Sequence, residues 1–242
     1  MLNDFIEYLK NQVGQPYVWG GQHTKLTKDN YKRIINKKEA GTGYYPYGVS
    51  YAQAAINYCD KKFDEGYEVL YAYDCSGLGS YWLYNLMHLY KADTNANTMM
   101  HKCILKKEIP KKGWWVFRLS GKRASHIGYM IDDDYLIEAK GRTYGVVKNK
   151  FNEKDWDCWG IPKIFKDELI IESTDYKTVQ VIGGSVNVRT SDSKKGRIMF
   201  TAHKGDKFPY LETSETGWYK ILTVKGIGYI TNLKRYTELL EE

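Results

Sequence analysis

Tyr73-Asp74-Cys75-Ser76-Gly77-Leu78 (YDCSGL, residues 73–78) is the stretch on which the fold turns. Asp74 is a favoured N-cap, because its short carboxylate can accept from the N–H groups left unpaired at a helix start. Beyond it apolar residues recur at helical spacing, which predicts a helix opening beside Cys75 and running through Leu89. The sulfur then sits in the first turn, where the helix dipole favours thiolate. With an imidazole nearby, such placement lowers a cysteine from ~8.5 to roughly 3.5–7.5 and makes a nucleophile at neutral pH. Cys59, Cys103 and Cys158 lie among apolar or bulky neighbours without such a signal and read as small buried hydrophobes.

Upstream, Leu2, Phe5, Ile6, Leu9 and Val13 mark an amphipathic helix stopped by Gly14 and Pro16. Tyr51 to Phe63 also reads as helix, and Gly41 to Gly48 (GTGYYPYG) as loop. Downstream of the cysteine the period changes. Trp114 to Leu119, His126 to Ile131, Tyr135 to Ala139 and Gly145 to Lys148 read as successive strands. Helices followed by an antiparallel sheet give an α+β domain over residues 1–166. Residues 167–177 are acidic and lack a period, so they are expected to be a linker. Residues 178–242 follow with short β-rich runs at Val179–Ile182, Ser185–Arg189, Phe208–Leu211, Trp218–Thr223 and Gly228–Ile230, the pattern of a small closed barrel.

Bulk composition limits the alternatives. A chain of 242 residues with 43% hydrophobic and 27% charged residues is long enough for two folded cores. Twenty-two tyrosines and seven tryptophans are unusual; most fit a sheet core, and the remainder suit an open groove for peptide or sugar. The net charge of +7 is spread along the chain, which suits adhesion to an anionic polymer. No zinc-finger spacing, arginine-rich helix or aromatic-studded RNA-binding strand points to nucleic acid. The cysteines lie 16, 28 and 55 residues apart, so no metal pair or disulfide framework is expected, and no cofactor is implied. Met1 to Lys10 lacks the charge and apolar core of a secretory signal, and no stretch approaches the ~20 apolar residues of a membrane span. The expectation is a chain made in the cytoplasm without a signal peptide.

A base for Cys75 is offered by Ser125-His126-Ile127-Gly128, which opens a strand. Glu138 lies twelve residues on, beyond the turn Asp132-Asp133-Asp134. Even separation across an unbulged hairpin with an odd loop puts both side chains on one face. Thiol, imidazole and carboxylate would then form the cysteine version of a catalytic triad. A satisfied structural histidine is the competing reading.

These residues resemble the NlpC family of cell-wall cysteine peptidases. The likeness rests on Gly14-Gln15-Pro16-Tyr17-Val18-Trp19-Gly20-Gly21, Asp74-Cys75-Ser76-Gly77, Ser125-His126-Ile127-Gly128 and Glu138-Ala139, in that order. It implies a papain-like fold with Cys75 as nucleophile, His126 as base and Glu138 as orienting residue. It also implies that Tyr17, Asp74 and Ser76 line the substrate site, and leaves Trp19 between packing and function. Two features depart from the pattern. The 52 residues Gln22 to Tyr73 stand where the family has a short connection, and are either a groove wall or lid or a surface decoration. Glu138 stands where His, Asn or Gln is commoner.

Residues 179–236 resemble a bacterial SH3-like wall-binding domain, through Val186-Asn187-Val188-Arg189, Gly205-Asp206, Gly217-Trp218-Tyr219-Lys220-Ile221 and Gly228-Tyr229-Ile230. Together the likenesses imply a peptidoglycan hydrolase that cuts a stem-peptide amide, between D-glutamate and the following diamino acid, through a Cys75 thioester. The rivals are an N-acetylmuramoyl-L-alanine amidase, an inactive wall-binding protein and an acyltransferase on the same fold. A wall anchor without a leader resembles a phage or prophage lysin released through a membrane lesion.

Overall fold

The computed structural model describes residues 1–172, 177–223 and 225–240 and divides into two compact units, Met1–Phe165 and Lys166–Glu242. In the first, α1 (Leu2–Asn11) buries Leu2, Phe5, Ile6 and Leu9 along one face, as their spacing predicts. Phe5 packs among the rings of Trp82, Trp115, Tyr129 and Phe165 and ties the helix to the sheet.

The inserted segment folds around a core that includes Val18 of the loop before it. It comprises β1 (Thr24–Thr27), α2 (Tyr31–Glu39), α3 (Tyr51–Asp64) and β2 (Val69–Ala72), with β1 and β2 paired antiparallel from Thr24↔Ala72 to Thr27↔Val69. Leu26, Ile35, Ala55, Cys59 and Leu70 are fully buried between these elements. Ser50 caps α3 by accepting from the Gln53 N–H. Packed around these buried side chains, the segment is a folded subdomain.

The helix that follows, α4 (Cys75–Tyr81), passes into a π-helical turn at Trp82–Leu86 and stops short of the expected Leu89. Trp82 and Leu83 are buried, Leu86, Met87 and Leu89 are exposed, and His88 has φ 52°, a left-handed conformation that ends a helix. Next come α5 (Ala96–His101), β3 (Cys103–Lys106), β4 (Trp115–Ser120), β5 (Arg123–Met130), β6 (Tyr135–Gly141), β7 (Gly145–Lys150) and β8 (Cys158–Pro162). The six strands form an antiparallel sheet in the order β3-β8-β4-β5-β6-β7. Four were expected; β3 and β8 are short and lack an alternating pattern to betray them. Tyr129 on β5 joins the sheet to α4, its hydroxyl donating to the Cys75 carbonyl at 3.1 Å and accepting from the Gly79 N–H at 3.2 Å. A Cβ at Gly79 would stand 2.6 Å from that hydroxyl, so this close approach requires glycine.

The second unit opens with α6 (Lys166–Glu172), where a linker over 167–177 was expected. The acidic residues Asp167 and Glu168 that suggested a linker lie in the first turn, where a helix dipole favours them. Residues 173–176 of that stretch lie outside the described residues. Then follow β9 (Thr178–Val181), β10 (Ser185–Arg189), β11 (Ile198–His203), β12 (Lys207–Thr213), β13 (Tyr219–Thr223), β14 (Gly226–Ile230) and β15 (Thr237–Leu240). They pair in the order β11-β10-β14-β13-β12-β9-β15 and share a core of Val179, Val181, Val188, Ala202, Ile221 and Ile230. β11 and β15 were not foreseen. Among the described residues no helix is long and apolar enough to cross a membrane.

Candidate active site

Cys75 begins α4, and Asp74 caps it by accepting from the Gly77 N–H at 2.6 Å. The Ser76 hydroxyl donates to the same carboxylate oxygen at 3.1 Å, so Asp74 and Ser76 lock each other at the helix start. The predicted low thiol pKa is not found. Burial of a side chain only 8% exposed pushes the Cys75 thiol up to about 12, and the neighbouring Asp74 charge adds to this. The backbone N–H groups of Ile127, Ser76 and Cys75 oppose the shift without reversing it. Desolvation outweighs the backbone hydrogen bonds that favour the thiolate, so burial sets the direction of the shift.

Ile127 brings strand β5 against the sulfur, and His126 precedes it in the chain. The register Tyr129↔Ile137 and Met130↔Leu136 between β5 and β6 puts His126 and Glu138 on one face. His126 Nε2 lies 2.6 Å from Glu138 Oε2, with both side chains largely out of solvent. Asn149 Nδ2 donates to the other oxygen of Glu138 at 2.8 Å. Burial raises the Glu138 carboxyl, but the hydrogen bonds from His126 and Asn149 and the charges of His126 and Arg118 outweigh it. The carboxyl is held below its usual range. The histidine ring stacks on Trp156 at 5.7 Å between centroids and 17° between planes, and the Arg118 guanidinium lies 4.8 Å from the Trp156 ring centre. A Cβ at Gly128 would come within 2.8 Å of Trp156, so this glycine makes room for the indole.

Tyr17 approaches from the loop before the inserted segment. Its backbone bridges to Tyr73, and Val18 donates to the Tyr73 carbonyl at 3.0 Å. The loop closes on the helix start: the Asp74 N–H donates to Gly21 O at 2.8 Å, and a Cβ on Gly77 would stand 2.0 Å from that oxygen. The two glycine-bearing motifs are therefore two halves of one contact. Burial pushes the Tyr17 phenol well up and the Cys75 sulfur adds to it, while Arg142 opposes; the hydroxyl stays protonated and is a donor. Trp19 stays 54% exposed, while its backbone N–H donates to Glu39 Oε1 at 2.8 Å.

All six residues read from the sequence thus gather around the start of α4 and the adjoining hairpin. Asn149, Trp156, Arg142 and Glu39 belong to the same surroundings and were not foreseen. None lies in a motif; Glu39 and Trp156 come from separate parts of the chain, while Arg142 follows the strand of Glu138 and Asn149 lies on the strand paired with it. Among the described residues no cluster of His, Cys, Asp or Glu could hold a metal ion.

Comparison with known proteins agrees with this division of the chain. A profile of the NlpC/P60 family matches residues 14–159, and one of the bacterial SH3 domain matches residues 184–237. No curated protein matches the chain. Among solved structures, the P60 domain of antigen MAP1204 from M. avium subspecies paratuberculosis is 15% identical, with a TM-score of 0.41 over 67% of this chain and 95% of that one. The peptidoglycan hydrolase RipB of Mycobacterium tuberculosis is 14% identical, with a TM-score of 0.39 over 66% of this chain and 65% of its own. Ly7917 is 13% identical, with a TM-score of 0.28 over 100% of this chain and 99% of its own. With a family profile spanning more than half its length, the chain belongs to the NlpC/P60 family of cell-wall hydrolases of the cysteine peptidase type, and it carries a bacterial SH3 domain.

Proposed function

We propose that the protein is a γ-D-glutamyl-diamino acid endopeptidase acting on the peptidoglycan stem peptide, with Cys75 as nucleophile, His126 as base and Glu138 as orienter. The observation that carries this reading is the buried 2.6 Å contact between His126 Nε2 and Glu138, on the strand whose Ile127 N–H meets the Cys75 sulfur. With Nε2 engaged, Nδ1 is the nitrogen that takes the thiol proton as the sulfur attacks the amide carbonyl carbon. The C–N bond then breaks, the imidazolium returns the proton to the leaving amine, and water hydrolyses the thioester. Glu138 keeps the imidazole in the tautomer this exchange requires.

Backbone N–H groups at the start of α4 and the protonated Tyr17 hydroxyl supply donors for the oxyanion. Asp74 and Ser76 line the adjoining substrate surface. The SH3 domain tethers the enzyme to the wall polymer and raises the local concentration of stem peptide. The choice of bond follows the family likeness of the motifs. Mass spectrometry of muropeptides digested by the parent and by Cys75→Ala tests both parts. A new N-terminal diamino acid supports the endopeptidase, free lactyl ends with an L-alanine amine support the amidase, and unchanged digestion by Cys75→Ala rejects the nucleophile.

A further inference from the structure

Glu39, at the end of α2 in the inserted segment, is a buried carboxylate, 4% exposed. It accepts from the Trp19 backbone N–H at 2.8 Å, from Arg142 Nε at 3.1 Å and Nη2 at 2.8 Å, and from the Thr42 hydroxyl at 2.9 Å. These donors come from separate parts of the unit. Trp19 lies in the loop that carries Tyr17, and Arg142 follows β6, the strand that carries Glu138. Lys38, one residue before, donates to Gly20 O of the same loop at 2.7 Å. The Arg142 guanidinium lies 4.8 Å from the Tyr17 ring centre and 4.3 Å from that of Tyr51 on α3. One face of Tyr17 is therefore backed by a cation that the inserted segment holds in a two-pronged grip.

A forked arginine-carboxylate contact fixes orientation as well as charge. Buried pairs of this kind add little net stability over apolar packing, so geometry is what such a pair supplies. A displacement of about 1 Å at a reacting group can cost on the order of a hundredfold in rate.

We infer that Glu39 is a positioning residue through which the inserted segment, by way of Arg142 and the Trp19 N–H, holds Tyr17 against Cys75. The inference rests on the reading of Cys75 as nucleophile given above. The 52-residue insertion is then a support for the catalytic loop, beyond any part it has in forming the groove.

The test is kcat and KM of the full chain on a soluble stem peptide, for the parent, Glu39→Gln, Tyr17→Phe, the double variant, Ile35→Val and Cys75→Ala. Glu39→Gln keeps the shape and loses the charge that grips Arg142; its kcat is expected to fall about tenfold or more with a smaller change in KM. The double variant is expected to be no worse than the more impaired single one by more than about threefold, because both act through the same ring. Ile35→Val removes one methyl from the core of the insertion and leaves the hydrogen bonds of Glu39 in place, and is expected to keep the parent kcat even as its melting temperature drops. If Glu39→Gln gives no cooperative melt, Arg142→Lys, which keeps the charge and loses the fork, is judged by the same criteria. A folded variant with kcat within about twofold of the parent, losses that multiply with Tyr17→Phe, or an equal loss in Ile35→Val each overturn the inference. Activity persisting in Cys75→Ala overturns the nucleophile and this inference with it. An inactive Cys75→Ala beside a parent-like Glu39→Gln overturns this inference alone.

Discussion

Replacing Glu138 by Gln tests whether a carboxylate orients the histidine. The side chain is 2% exposed and its two oxygens are taken, one by His126 Nε2 at 2.6 Å and the other by Asn149 Nδ2 at 2.8 Å. Glutamine fills the same volume but offers one acceptor to two donors, so either one contact breaks or the imidazole takes the other tautomer, and the charge facing it is lost. A hydrogen bond to a charged group is worth about 1.5–3 kcal/mol, which is about 10- to 150-fold in kcat/KM if the bond strengthens as His126 takes the thiol proton. The assay is amine release from a soluble stem peptide, beside thermal unfolding from pH 7 to pH 3. Because its folded pKa is depressed, Glu138 contributes stability that is complete above its unfolded value of roughly 4.3 and lost as pH falls through the lower folded value. The gap in melting temperature between the parent and Glu138→Gln should therefore narrow as pH drops below that range. A folded Glu138→Gln with parental kcat/KM, or a gap that widens in acid, refutes the part given to the carboxylate charge.

Three further outcomes are expected. With the thiol held near about 12 by burial, alkylation of Cys75 in the substrate-free protein should be slow at pH 7 and rise steadily toward pH 9; a plateau reached by pH 6 would indicate a preformed thiolate instead. Gly77→Ala drives a methyl to 2.0 Å from Gly21 O and should destabilise the first unit by about 1–3 kcal/mol or more in denaturant melts; an unchanged midpoint would contradict the packing of loop on helix. Trp156→Ala removes the ring stacked on His126 and should lower both the melting temperature and kcat, by about 3–5 kcal/mol in stability; a stable, fully active variant would show the stack to be incidental.

Local chemistry was enough to place Cys75 at a capped helix start. Asp74 is a cap whatever surrounds it, and the spacing of Leu2, Phe5, Ile6 and Leu9 specifies an amphipathic helix before any partner is present. Alternation located the strands that carry His126 and Glu138, and with them the shared face. Patterns of this kind failed where the chain has no period, as at Cys103–Lys106, Ile198–His203 and the acidic opening of Lys166–Glu172, a helix whose sequence reads as linker.

The sequence by itself determined the order of elements, the cysteine at a capped helix start and its histidine and carboxylate, because each depends on residues near in the chain or paired by a simple hairpin. Only the tertiary structure set the direction of the Cys75 pKa shift, since burial is a property of everything packed around the sulfur and here it outweighs the hydrogen bonds that favour thiolate. It alone also brought Glu39 and Trp156 to the site. Their contacts span as many as 103 residues of chain, and no local spacing records such a distance.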